Sequence, residues 1–164
     1  MNLPHVHLIL NHVPVLGTVF GLVLLAWGSW RQNVSLQRAA LVTFIIAALV
    51  AIPVYLTGEP AQDAVQRLAG VTENAIEAHE EAALVSLIAV ELLGVLGVIS
   101  LLLARAQRST AIVMRGALAV AIVTAGLMAW TANLGGRIRH SELRASGSGA
   151  PAGGHEGAEE EEGR

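Results

Sequence analysis

The chain has no cysteine and no lysine. The first absence excludes disulfides, thiolate metal sites, iron–sulfur clusters and covalent c-type haem attachment, leaving histidine and carboxylate as the metal ligands on offer. The second makes every basic side chain an arginine. Also missing are a nucleophile–base pair, a phosphate-binding loop and a dinucleotide fingerprint, so hydrolase and transferase chemistry has no residues to stand on. Nothing in the pattern points to nucleic acid.

What is present is apolar. Of 164 residues 54% are hydrophobic, with a mean hydropathy of +0.59. Residues 6–30, 39–57, 82–104 and 116–132 form long runs nearly free of charge, matching the ~17–25 residues that cross a ~30 Å hydrocarbon core. A soluble helix bundle is excluded because its helices need a polar stripe. The expected fold is therefore an all-α integral membrane protein, a four-transmembrane-helix bundle occupying residues 1–144. Residues 145–164 form a Gly-, Ala- and Glu-rich tail that cannot bury a core and is expected to be disordered. His155 falls there and is set aside, and the tail's acidic stretch reads as solubilising. The first run is too long for a signal peptide and its flank Met1–His5 carries no basic residue, so it is expected to stay in the mature protein.

Arginine sets the orientation. Arg31 and Arg38 flank the first connection and Arg105, Arg108 and Arg115 the third, which makes those loops cytoplasmic. Both termini and the second connection then face outward, with Arg67, Arg137, Arg139 and Arg144 opposing the bias. The expected setting is the bacterial inner membrane, with both termini periplasmic.

The second connection has signals of its own. Thr57-Gly58-Glu59-Pro60 reads as a helix stop at Gly58 and a new start at Pro60, giving a short amphipathic helix between spans 2 and 3 that ends near Gly70. Thr72 then caps the third helix, Val71 and Ile76 stand at the positions of a hydrophobic staple, and Glu73 suits the positive helix end. Pro14 and Pro53 lie at matched depth near the outer ends of their spans, where each removes a backbone hydrogen bond and favours a kink, opening space at one level.

Five of the six histidines sit at that same end: His5, His7 and His12 before the first run, His79 before the third, His140 after the fourth. At ~1.5 Å rise per residue, His12 lies ~27 Å from Trp30, while His79 and His140 lie ~37 Å from Ala104 and Arg115. They are placed to meet across the mouth of the bundle. His5 and His12 share a helix face and His7 points elsewhere. The Gly135-Gly136 pair is a point at which the fourth helix can end, and the height of His140 depends on its continuing. Haem b suits such a bundle, since two imidazoles on facing helices clamp the iron while apolar side chains cover the porphyrin. Arg137 and Arg139 are placed to pair with propionates. Asn11, Glu59 and Glu80 are candidates to accept the free imidazole N–H. Gly17 and Gly21 read as small-residue packing positions.

Glu91 lies well inside the third span, where an ionisable group is expensive. It shares a face with Glu80, so it reads either as a proton carrier fed from the outer surface or as a hydrogen-bonded acid partnered by Thr18, Thr124 or another helix.

The motifs Leu8-Ile9-Leu10-Asn11-His12-Val13-Pro14, Thr57-Gly58-Glu59-Pro60-Ala61, His79-Glu80-Glu81-Ala82 and Asn133-Leu134-Gly135-Gly136-Arg137-Ile138-Arg139-His140 resemble those of small four-span bacterial membrane proteins of unknown function. That group is similar to minimal haem-b membrane cytochromes, and the resemblance covers roughly residues 3–143. It implies haem ligation at the outer ends, with His12, His79 and His140 carried over, and electron exchange with periplasmic redox partners. The chain departs from better-understood membrane cytochromes b in keeping its histidines outside the spans.

The expected function is a b-type cytochrome subunit. One or two b-type haems, held by histidines drawn from His5, His7, His12, His79 and His140, would pass electrons between a quinone or membrane partner and periplasmic redox proteins. A larger complex or homo-oligomer is its expected state. Two alternatives stay open: a haem-free metal site for zinc, copper or non-haem iron built from His7, His12, His79 and His140 with Glu59 or Glu80, and a structural subunit of a larger membrane complex.

Overall fold

The computed structural model describes residues 3–65 and 71–139. Six α-helices follow one another: α1 (Leu3–Leu10), α2 (His12–Trp30), α3 (Val34–Leu56), α4 (Gly58–Val65), α5 (Glu73–Arg105) and α6 (Ala111–Arg139). Taking α1 and α2 together as one span, four helical segments are long and apolar enough to cross a membrane. The protein is a multi-pass, all-α membrane bundle.

Pro14 explains why the first span is two helices. Its missing N–H leaves the Leu10 carbonyl without its helical donor, and α1 stops at Leu10 with Asn11 as the joint. Pro53, at the corresponding depth, does not break α3, which runs on to Leu56. α4 begins at Gly58, two residues earlier than Pro60 would suggest, and the end placed near Gly70 lies outside the described residues. α5 starts after Thr72 as expected, but the Thr72 hydroxyl makes no capping bond; its carbonyl accepts from the N–H groups of Ala75 and Ile76 instead. Gly135 and Gly136 do not end α6, which continues to Arg139. A helical glycine costs only ~1 kcal/mol against alanine, which does not by itself end a helix.

The spans alternate in direction and form a ring in which α2 packs on α3, α3 on α5, α5 on α6, and α6 closes onto α2. One end, the arginine end, carries the tight connections α2–α3 and α5–α6. Both turn through a glutamine in the left-handed region, Gln32 at φ 53° and Gln107 at φ 54°. Each is followed by a bond back across the helix terminus, Asn33 N–H to the Gly28 carbonyl and Arg108 N–H to that of Leu103. This is the Schellman closure that more often uses glycine. Trp27 and Trp30 meet edge to face near this end, with Arg31 over the Trp30 ring, as expected of an aromatic belt at a membrane–water boundary.

The exposed surface is apolar, with Leu16, Phe20, Val23, Leu49, Ile88 and Ile122 among the residues turned outward, while Thr18, Ser86, Ser100 and Thr124 are buried inside. In a bilayer this is the favourable arrangement, because helices gain from close contact and hydrogen bonding rather than from hiding apolar surface. Two glycines set the approach. A Cβ on Gly21 would lie inside the Phe44 ring's contact distance, and one on Gly94 would stand 2.6 Å from the Ala48 methyl. Gly21 is thus a packing position, as its sequence suggested. The Ser86 and Thr131 hydroxyls hydrogen-bond at 2.9 Å, joining α5 to α6.

Candidate cofactor site

The second end of the bundle, the histidine end, gathers α1, the end of α3, α4, the start of α5 and the end of α6. α1 lies across α4 and touches α3. Two imidazoles there are half-buried, His7 on α1 and His79 on α5.

His7 Nδ1 is 2.9 Å from the Val54 carbonyl oxygen. A carbonyl only accepts, so Nδ1 carries the proton. Val54 is in the last turn of α3, whose carbonyls have no intrahelical donors, and the histidine satisfies one of them. The Thr57 hydroxyl bonds to the Pro53 and Val54 carbonyls beside it.

His79 repeats the construction on the other side. Its Nδ1 donates to the Thr131 carbonyl of α6 at 3.1 Å. Gly135, one turn further along, makes this possible: a Cβ there would stand 3.0 Å from His79 Cε1. Without that atom, the ring reaches the free lone pair of a carbonyl already inside a helix.

The two halves share three features. Each hairpin opens with a histidine that donates Nδ1–H to a carbonyl of the hairpin's second helix, Val54 in the last turn of α3 and Thr131 further inside α6. In each, a glycine four residues beyond that carbonyl lies under the ring's Cε1 edge, Gly58 for His7 and Gly135 for His79. In each, a left-handed glutamine turns the chain at the opposite end. His7 and His79 lie close enough for the charge of one to act on the other, and Glu80 also acts on His79. With Nδ1 protonated, each neutral ring presents Nε2 as a lone pair, and neither Nε2 bonds to protein among the described residues. This tautomer, fixed by a backbone carbonyl, is the usual second-shell arrangement of a metal-ligating histidine.

The other candidates are placed differently. His12 is exposed, with Nδ1 3.2 Å from the Leu8 carbonyl one turn back. His5 is exposed on α1. Asn11, between these two, interrupts the hydrogen-bonding of the span while keeping right-handed helical dihedrals. Arg137 is exposed close to Gly135. His140 and the Arg139 side chain lie outside the described residues, as does the tail 145–164. The Nδ1–H groups of His7, His12 and His79 go to backbone carbonyls, so for these three rings Asn11, Glu59 and Glu80 are not the acceptors. Sequence patterns do not reveal this, because every residue has a carbonyl. Among the described residues no three histidine, aspartate or glutamate side chains gather as a metal site.

The polar interior is incompletely paired. Asn11 Oδ1, Thr18 Oγ1 and Glu91 Oε1 are buried without a hydrogen-bond partner among the described residues, and Thr124 donates to the Val120 carbonyl of its own helix. Neither threonine therefore partners Glu91.

No family model, no curated protein and no solved structure matches the chain.

Proposed function

We propose that the protein is a b-type cytochrome subunit of a bacterial inner membrane, in which His7 and His79 would hold the haem, with its histidine end facing the periplasm. The observation that carries this reading is the twice-built imidazole, two rings from different helices that are each locked through Nδ1 to a backbone carbonyl and leave Nε2 unpaired among the described residues. The donor set fits haem b: a low-spin haem takes two axial imidazoles, whereas a haem-free site for zinc or non-haem iron needs three or more protein ligands, a set not assembled among the described residues. The bare Cα of Gly135 keeps the His79 ring in place.

Bound haem would supply one-electron chemistry at the membrane surface. His7 and His79 would hold and orient it, and their carbonyl partners would raise the basicity of the ligating nitrogens. Apolar helix faces exclude water, and Arg137 offers a charge-assisted contact for a propionate. Outward placement follows from Arg31, Arg38, Arg105, Arg108 and Arg115 at the opposite end. The partners are periplasmic redox proteins and a quinone or membrane partner, and the resemblance to minimal haem-b membrane cytochromes supports a haem, although its carried-over ligands include His12 and not His7.

The deciding experiment is the absorption spectrum of detergent-purified protein from haem-replete cells, oxidised and then dithionite-reduced. A Soret band with sharp reduced α and β bands is expected. His7→Ala and His79→Ala should each lose it while His12→Ala retains it. A colourless protein, or unchanged spectra in the first two variants, overturns the assignment.

A further inference from the structure

The histidine pair leaves His12 unused. It stands five residues after His7, and the residue five after His79 is Leu84, so the second hairpin has no counterpart. His12 instead sits at one end of a groove of about 420 Å3 between α2 and α3. The groove walls include Leu16, Gly17, Phe20, Ile46 and Ala47, of which Leu16, Phe20 and Ile46 are exposed on the apolar surface. The groove therefore opens sideways, toward lipid rather than toward water.

Its polar chemistry is limited to two acceptors, Thr43 Oγ1 and one nitrogen of His12. The Thr43 hydroxyl, also on the wall, donates to the Ala39 carbonyl of its own helix at 2.9 Å. His12 Nδ1–H is committed to the Leu8 carbonyl, so the neutral ring offers only Nε2, an acceptor. A hydrocarbon chain fills the walls but brings no donor. A molecule entering from the bilayer that satisfies both needs an apolar tail and an O–H at its head.

We propose that this groove binds the hydroquinone form of an isoprenoid quinone, with a ring hydroxyl donating to His12 Nε2 and the tail lying along Leu16, Phe20 and Ile46. The proposal rests on the electron-transfer reading, to which it gives a lipid-soluble partner beside the histidine end. It also sets a preference for redox state. The oxidised quinone has carbonyls in place of hydroxyls and cannot donate to Nε2, so it binds more weakly than the hydroquinone at neutral pH.

Decylubiquinol, kept reduced under anaerobic conditions, and decylubiquinone are titrated into the detergent-purified full-length protein, with dioleoylphosphatidylcholine as competitor. Saturable binding is expected, with the reduced form favoured about tenfold, the value of one hydrogen bond. His12→Phe should abolish that preference, and Ile46→Trp, a bulky change at an exposed position, should weaken both forms. Equal binding of the two forms, indifference to both substitutions, or displacement by the phospholipid at comparable concentration overturns the proposal and marks the groove as a seat for ordinary lipid. Pigment measured in the same samples separates the two readings. Pigmented protein without hydroquinone binding removes the groove assignment alone, whereas hydroquinone binding by colourless protein supports the groove and removes the haem.

Discussion

The imidazole of His79 lies against Gly135 so closely that a methyl group on that glycine would stand 3.0 Å from Cε1 and 3.4 Å from Nδ1. Gly135→Ala should push the ring off the Thr131 carbonyl, at a cost of ~1 kcal/mol, or roughly fivefold in cofactor retention. Gly136→Ala is the control, since a Cβ there meets nothing within 4 Å. Pigment-to-protein ratio and thermal unfolding in detergent should fall for the first variant and hold for the second.

Gly94→Val should damage the α3–α5 contact. The added Cβ would be 2.6 Å from the Ala48 methyl, and overpacking of this kind costs ~1–3 kcal/mol. Gly126→Ala, at an open position, should be silent. Unfolding by sodium dodecyl sulfate in mixed micelles reads the difference.

At the helix starts, Asn33→Ala should destabilise by ~1 kcal/mol, because its side chain accepts from the Leu36 N–H and caps α3. Thr72→Ala should change little, because its hydroxyl caps nothing. The same denaturation assay compares them, and equal losses would contradict the capping geometry.

Gln107→Gly should stabilise the protein by ~0.5–1 kcal/mol by relieving a left-handed side-chain residue. Gln32→Gly should gain less, since the Gln32 side chain also bonds to the Ser29 carbonyl. A higher unfolding midpoint for Gln107→Gly than for Gln32→Gly checks both.

A chain without cysteine is already a background for site-directed labelling. In intact cells a membrane-impermeant maleimide should modify Asn74→Cys at the histidine end and spare Ser35→Cys at the arginine end until the membrane is opened. The reverse pattern would invert the proposed orientation.

The four spans were legible because apolar runs of this length have few other uses. The length of α5, 33 residues or ~50 Å of helix, was legible from the signals around Thr72 rather than from hydropathy, because its first turns carry glutamates that hydropathy counts as loop. Proline gave the break at Asn11 but overstated the case at Pro53, where the helix had only three residues left to run. The histidine end was legible as a cluster, yet the choice among histidines was not. That choice turns on which ring reaches a neighbouring backbone carbonyl, and for His79 on a glycine in another helix. Nor was the correspondence between the hairpins visible, because it survives in a histidine, a glycine and a glutamine per half, with little similarity between them.

That correspondence bears on how such a protein can arise. A hairpin crosses the membrane twice and returns to the side where it began, so joining two of them preserves the orientation of both. Two copies of a single hairpin, related by a two-fold axis normal to the bilayer, would present the same pair of locked imidazoles without any connecting segment. Once both hairpins are in one chain, the symmetry requirement lapses. One half can then acquire a residue such as His12 while the other keeps leucine.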